Sequence, residues 1–411
     1  MSTQLIVNAT LVNTRESTAI LRGPQLAELP CIKDGWLLIE DDHIAGIGTM
    51  DKPPLHTQGT SIIDAAGRLV LPAWCDSHTH LVFAGSRESE FVDKIRGLSY
   101  AEINARGGGI LNSARLLRDT SEDALFDQAW KRLTDISLLG TASIEIKSGY
   151  GLTVDSELKM LRVIRRLKQS SRLNIRATFL GAHSFPPEYK DDHQGYVDLI
   201  INEMLPVIAR EKLADYIDVF CEQGFFSPEE TERICRAGMS HGLKPKIHAN
   251  QLHLSGGVQT GVKLGAISVD HLESMDEDAI TALSASSTIG TLLPTAAFFL
   301  RMPFQPARKL IDAGCAIALA SDFNPGSSPS GNMNLVVAMS CIQMRMLPEE
   351  AINAATINGA YAMELGDVTG SLSIGKKADL IITRPVPSLA YLPYAFGANL
   401  VESVFISGAP L

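Results

Sequence analysis

No cysteine pair stands at redox or metal-binding spacing, positive charge is in deficit, and no uncharged apolar run is long enough to cross a bilayer. Each absence excludes a class of protein. The six cysteines, at positions 31, 75, 221, 235, 315 and 341, are scattered, and several lie in apolar stretches such as Val219-Phe220-Cys221 and Gly314-Cys315-Ala316. A thiol in such a setting behaves as a small hydrophobe, so a disulfide framework is excluded and a reducing compartment is expected. With 36 Lys and Arg against 46 Asp and Glu, the formal charge is -10 and the isoelectric point is near 5.5. Nucleic-acid binding uses basic surface to displace counterions from phosphates, so no nucleic-acid partner is expected. The opening residues Met1-Ser2-Thr3-Gln4-Leu5-Ile6-Val7 lack a basic region followed by a sustained apolar segment. A cytoplasmic protein with no membrane partner, acting on a small molecule, is the expectation. An anionic substrate would need a local basic residue to oppose the acidic field of the whole chain.

What is present is a chain of 411 residues with two textures. Residues 1–66 read as short strands broken by turns: 5–12, then 35–40 and 43–48 around a hairpin turn at Asp41-Asp42. From 67 the pattern changes to short apolar strands alternating with amphipathic helical segments. The strand candidates are 69–80, 142–147, 175–180, 216–221, 246–248, 266–269, 289–293 and 316–320. Helical segments fall between them, for example 158–167 with Asp155 as its capping candidate, and 228–237. Eight strands are the number that closes a (β/α)8 barrel of the TIM type. Beyond 365, strand texture returns at 370–374, 378–383 and 401–406. The expected fold is therefore α/β: a barrel over 67–364, flanked by a small β-sandwich domain built from both chain ends, 1–66 and 365–411.

In such a barrel the chemistry sits at the C-terminal ends of the strands. His78 and His80 end the first candidate strand as His-x-His, and alternate residues of a strand project to one face, so the two can grip one cation. His183 follows the third strand, His248 ends the fifth, His271 follows the sixth and Asp322 follows the eighth. Five of the ten histidines thus occupy one rim, too many for ordinary core or surface residues. His78, His80, His248 and Asp322 would supply three neutral imidazoles and a carboxylate to one metal ion, with a position open for water. Asp322 is a candidate to move the water's proton to a leaving nitrogen, and His271 to polarise the attacked carbonyl or hold the nucleophile. Metal-assisted hydrolysis is the reaction class.

Other residues bear on which bond breaks. Gln251, in His248-Ala249-Asn250-Gln251, is a neutral amide that cannot shuttle a proton to a ring nitrogen, so deamination is disfavoured and opening of a cyclic amide is favoured. Gln251 would instead orient the substrate. Arg87, just beyond the His-x-His pair, offers a planar fork for a substrate carboxylate, or else an ion pair to Glu88 or Glu90. Tyr150 stands in the glycine-flanked loop Ser148-Gly149-Tyr150-Gly151, and Asn324-Pro325-Gly326-Ser327-Ser328 reads as a tight turn offering N–H groups and hydroxyls to a ligand. Glu222, after the fourth strand, could bridge a second metal, but no lysine stands there to be carboxylated, so one ion is expected. The glycine run Arg106-Gly107-Gly108-Gly109 could serve as a lid or a plain loop.

Taken together, Asp76-Ser77-His78-Thr79-His80, Gly85-Ser86-Arg87, Lys147-Ser148-Gly149-Tyr150-Gly151, Gly181-Ala182-His183, Asp270-His271 and Asp322-Phe323-Asn324-Pro325-Gly326 resemble the amidohydrolase superfamily over nearly the whole chain. The stretches Gly85-Ser86-Arg87, Lys147-Ser148-Gly149-Tyr150-Gly151 and Asp322-Phe323-Asn324-Pro325-Gly326 are similar to its subgroup that opens the imidazolone ring of 4-imidazolone-5-propanoate to N-formimidoyl-L-glutamate. The resemblance implies zinc or iron at His78, His80, His248 and Asp322. It further implies substrate contacts from Arg87, Tyr150, His183, Gln251 and Ser327, product contacts from Asn324 and Gly326, and a homodimer. Some members carry Glu where Gln251 stands, so the base role falls here to His271 and Asp322. A ring deaminase or another cyclic-amide hydrolase is the alternative enzyme, and a non-catalytic metal-binding barrel the alternative outside enzymes.

Overall fold

Two sheets divide the chain, and the break between them falls at Ala73. The computed structural model describes residues 3–15, 19–54, 59–98, 102 and 108–411. The first sheet holds β1 (Thr3–Val12), β2 (Cys31–Glu40), β3 (His43–Thr49), β4 (Ser61–Asp64) and β5 (Leu69–Pro72). The second holds β6 (Trp74–Thr79), β7 (Thr141–Lys147), β8 (Asn174–Ala182), β9 (Tyr216–Cys221), β10 (Lys244–Ala249), β11 (Ser268–His271), β12 (Ile289–Leu292) and β13 (Ile317–Leu319). From the far end of the chain β14 (Leu380–Thr383), β15 (Val401–Ile406) and β16 (Ala409–Pro410) return to the first sheet.

The chain-end sheet runs β16-β15-β14-β5-β1-β2-β3, with β4 beside β1. Its two sources join where β14 lies antiparallel to β5, Leu380 opposite Pro72 and Ile382 opposite Val70. Ile6, Leu11, Leu37, Ile39, Val70 and Phe405 form its own small core. Asp41 takes the left-handed turn conformation between β2 and β3, as an Asp readily does.

The eight strands β6 to β13 are all parallel and adjacent in chain order. The ring closes just past β13, where Asp322 N donates to His78 O at 3.0 Å and His80 N donates to Phe323 O at 2.9 Å. Those two bonds put the first and last strand ends side by side. Around the barrel, helices bury one stripe each: Val154–Ser170 turns Leu158, Leu161, Ile164 and Leu167 inward. Pro228–Ser240 begins in a reciprocal cap between Ser227 and Glu230. Among the described residues no helix is long and apolar enough to cross a membrane.

Four local expectations are corrected. The continuous strand 69–80 is two strands in two sheets. The helix starting at 154 is capped by Thr153, whose hydroxyl accepts from Ser156 N, and not by Asp155. The strand expected at 266–269 begins at Ser268, because Gly265 takes a φ of +65° to end the preceding helix Gly257–Leu264. Residues 370–374 form no strand: Gly370 has a φ of +89°, and a Cβ there would lie 3.0 Å from Thr356 O and 2.9 Å from the Ala360 Cβ. The chain turns where it grazes a helix backbone, which only glycine allows.

Candidate active site and metal centre

Strand alternation decides what the barrel interior contains. Glu145 and Lys147 on β7, Asp218 on β9, Lys246 and His248 on β10, and Asp270 on β11 all lie at 2% exposure or less, beside His78 on β6. Bare charges in such a place would be prohibitively costly, so they are paired throughout. Lys147 Nζ binds Glu145 Oε1 at 2.5 Å and Asp218 Oδ2 at 2.8 Å, and lies 3.5 Å from Asp270 Oδ2. Lys246 Nζ binds the other Glu145 oxygen and the carbonyls of Ser77 and Ala362.

Above this layer stand the histidines. His78 Nδ1 donates to Asp270 Oδ2 at 2.6 Å, and His248 Nδ1 donates to Asp218 Oδ2 at 2.9 Å. Each carboxylate thereby fixes its imidazole with the Nε2 lone pair turned to the same point. His78 Nε2 and His80 Nε2 both lie 3.5 Å from Asp322 Oδ1, and His80 Nε2 lies 3.4 Å from His248 Nε2. Burial above all holds His78, His80 and His248 well below the ordinary histidine range, so they present lone pairs and not charges. Uncharged imidazoles and a carboxylate oxygen converging on one point are a donor set for a cation. His78 Nε2 has no hydrogen-bond partner among the described residues, as that set requires. Two overlapping groups, His78, His80 and Asp322, and His78, His248 and His271, keep their ligand atoms within 4.8 Å of one another. The residues present therefore fit a metal ion of the kind that nitrogen and oxygen ligands take.

The rim backbone is strained to make this set. Asp322, His271 and Asn250 take φ values of +52°, +85° and +52°, each costing on the order of 1–3 kcal/mol. Asp322 is anchored by the turn that follows it: Ser327 Oγ donates to Asp322 Oδ2 at 3.2 Å, and Asn324 Nδ2 donates to Asp322 O at 2.6 Å. The N–H groups of Gly326 and Ser327 both donate to Asn324 Oδ1 at 2.8 Å, so they are not free for a ligand as the turn's sequence suggested. Burial pushes the Asp322 carboxyl up to about 6, against the pull of His271. Burial would depress His271, but Glu273, 3.5 Å from its Nδ1, and Asp322 raise it. Gln305 Nε2 in turn donates to Glu273 at 2.9 Å.

Two joined cavities lie over these groups. An inner one of about 60 Å³ is lined by His80, Tyr150, His183, His248, Gln251, His271, Asp322, Asn324 and Ser327. An outer one of about 430 Å³ shares Tyr150, His183, Gln251, Asn324 and Ser327, and adds Arg87, Lys94 and Gly326. The structure thus gathers every expected site residue: the metal and proton-transfer candidates with Tyr150, His183 and Gln251 at the inner end, Arg87 and Gly326 at the outer. His183 stacks on His80 with 15° between the rings and donates from Nδ1 to Gly149 O at 3.0 Å; burial takes it down to about 4. Of the two readings of Arg87 the ion pair is present, made to Glu90 and not to Glu88. Its Nε and one terminal nitrogen hold Glu90 Oε2 at 2.8 and 2.7 Å, while the other terminal nitrogen passes Gly326 so closely that a Cβ there would sit 2.3 Å away.

Glu222, considered for a second ion, accepts instead from the N–H groups of Gln223, Leu252 and His253, and so shapes the loop carrying Gln251. Arg106 and Gly107 of the glycine run lie outside the described residues. Residues not anticipated are Glu145, Lys147, Asp218, Lys246, Asp270 and Glu157, whose carboxylate accepts from Gly149, Gly151 and Leu152 N and so orients the Tyr150 loop. Their signal was legible: a charged residue in the middle of an apolar strand, as in Ile217-Asp218-Val219.

The sequence profile of the Amidohydrolase family matches residues 69–411. The chain is 58% identical to the imidazolonepropionase of Flavobacterium johnsoniae, over 95% of each chain. It is 55% identical to that of Christiangramia forsetii over 97% of each. Among solved structures it superposes on E. coli guanine deaminase with a TM-score of 0.75 at 16% identity, covering 100% of this chain and 99% of that one. An adenosine deaminase from Xanthomonas campestris with bound zinc gives 0.73 at 15%, covering 99% and 92%. These two likenesses concern the fold.

Proposed function

This chain belongs to the amidohydrolase family and is a hydrolase of histidine degradation, and we propose how its site opens the ring of 4-imidazolone-5-propanoate to N-formimidoyl-L-glutamate. His78, His80, His248 and Asp322 hold one zinc or iron ion. Such an ion, when bound, supplies Lewis acidity, making water a nucleophile near neutral pH and polarising a carbonyl. Gln251 and Tyr150 orient the imidazolone in the inner cavity, where His183 also faces it. His271 donates a hydrogen bond to the ring carbonyl oxygen. Asp322 takes a proton from the attacking water and passes it to the ring nitrogen as the amide C–N bond breaks. The carbonyl carbon becomes the new carboxylate, and the propionate stays on Arg87 and Ser327 throughout. Asn324 and Gly326 contact the opened product. The reaction is placed in the cytoplasm.

The observation that carries this reading is the division of the Asp322 carboxylate: Oδ1 faces the imidazoles, and Oδ2 accepts from Ser327 at the floor of a cavity whose far end holds Arg87. A spectrophotometric assay of imidazolone propionate on metal-analysed protein, with and without a chelator, tests it. Turnover lost on chelation and restored by zinc or iron supports it. Release of ammonia from an aminated heterocycle, with imidazolone propionate left intact, overturns it.

A further inference from the structure

The helix Glu88–Ile95 begins at Arg87, so residue 94 stands two turns further along the same face. Glu90 lies between the two, and both of its oxygens are engaged, Oε2 by Arg87 and Oε1 by the Gly109 N–H at 3.0 Å. Lys94 is therefore left without a carboxylate among the described residues. Its Nζ lies 3.4 Å from the Gly326 carbonyl oxygen and 5.8 Å from the centre of the Phe299 ring, two weak contacts for a group with three donors. It lines the outer cavity with Arg87, and both cations meet at Gly326. Burial first, then the Arg87 charge, pull its ammonium below the ordinary lysine range, with Glu90 opposing. A bound anion would relieve both.

We propose that Lys94 is a specificity-determining residue that shares the substrate carboxylate with Arg87. The inference rests on the functional reading above. It accounts for a cavity lined by two cations and, among the described residues, by no carboxylate: Glu90, paired with Arg87, neutralises one, and a singly charged acid neutralises the other.

The test compares metal-loaded wild type with Lys94→Met, Lys94→Gln and Lys94→Arg on imidazolone propionate and on its analogue with a carboxamide in place of the carboxylate. Lys94→Met and Lys94→Gln are expected to raise KM for the acid about tenfold, ~1.4 kcal/mol, with kcat within about twofold. For the carboxamide neither variant should change KM, and Lys94→Arg should recover most of the loss for the acid. An unchanged KM for the acid, an equal rise for the carboxamide, or a loss confined to kcat overturns the inference alone. Absence of turnover of imidazolone propionate by the wild type overturns it together with the functional reading.

Discussion

The Asp270 carboxylate lies 2.6 Å from Nδ1 of His78, and neither side chain touches solvent. Asp270 is itself held by Ser268 Oγ at 2.6 Å and by the charge of Lys147. Burial would raise its carboxyl, but Lys246 and Lys147 outweigh burial and keep it below the ordinary range, an ionised acceptor for the imidazole N–H. Asp270→Asn should weaken zinc binding by about 10–100-fold, the usual cost of losing such a partner. Competition against a chromophoric chelator reads this directly, and an affinity equal to wild type would show that Asp270 does not orient the ligand.

Asp322→Asn keeps the shape of the residue and the bonds from Ser327 and Asn324 but removes the basic oxygen. Turnover should fall by on the order of 10³ or more, as for loss of a proton-transfer group. Circular dichroism should stay that of the wild type, since the anchoring turn is intact. Retention of more than a tenth of kcat would assign the proton to another group.

Gly326→Ala adds a methyl that meets an Arg87 terminal nitrogen at 2.3 Å and removes no chemical group. The guanidinium must move, so KM should rise severalfold while kcat falls less. Thermal stability should change little, because the side chain that yields is the far end of an arginine at a cavity edge. An unaltered KM would mean that Arg87 does not hold the substrate where it stands.

Removal of the metal should abolish turnover and also lower the thermal midpoint, because an ion that binds only the folded chain stabilises it by mass action. At a free concentration of about 100 times the dissociation constant the gain is about 2.7 kcal/mol. Scanning calorimetry of the stripped and reloaded protein measures it, and identical midpoints would contradict the assigned ligand set.

Lys376 offers a check far from the chemistry. It is 3% exposed, donates to Thr369 O at 3.1 Å, and is brought by burial from an ordinary 10.5 down to about 8, against Cys75 and Asp367. Between those two values the folded chain binds fewer protons than the unfolded one. This group's contribution therefore rises with pH across the window and is least favourable below about 8. Lys376→Met should stabilise the fold at pH 7 by on the order of 1 kcal/mol, raising the thermal midpoint, and flatten the trend between pH 8 and 10.5. A lower midpoint at pH 7 would show that the ammonium is worth more than its burial costs.

Much of this was readable one residue at a time. Strand periodicity marks where β7, β9, β12 and β15 run, because apolar alternation is a local property of the chain. His78 and His80 declare themselves by a spacing that any extended strand converts into one shared face. Arg87 stood out as a basic residue close behind that pair, and the structure puts it on the cavity over the site. Local signals misled where a long-range contact ruled: the run 69–80 reads as one strand, yet Leu380 opposite Pro72 draws its first half into the other sheet. Gly370 reads as part of a strand and is instead where the chain skirts a helix.

The sequence by itself determined the residue types at the strand ends, the eight-strand rhythm and the net negative charge, since composition and short-range period need no partner. Only the tertiary structure decided that Asp218 and Asp270 aim the imidazoles, that Lys147 binds these two acids together, and that Lys94 and Arg87 meet at Gly326. The reason is physical: a charge inside an apolar strand is tolerable only if opposite charge meets it; Glu145 and Lys147 share a strand, but Asp218, Lys246 and Asp270 find theirs across strands, and which strands are neighbours is fixed by barrel closure.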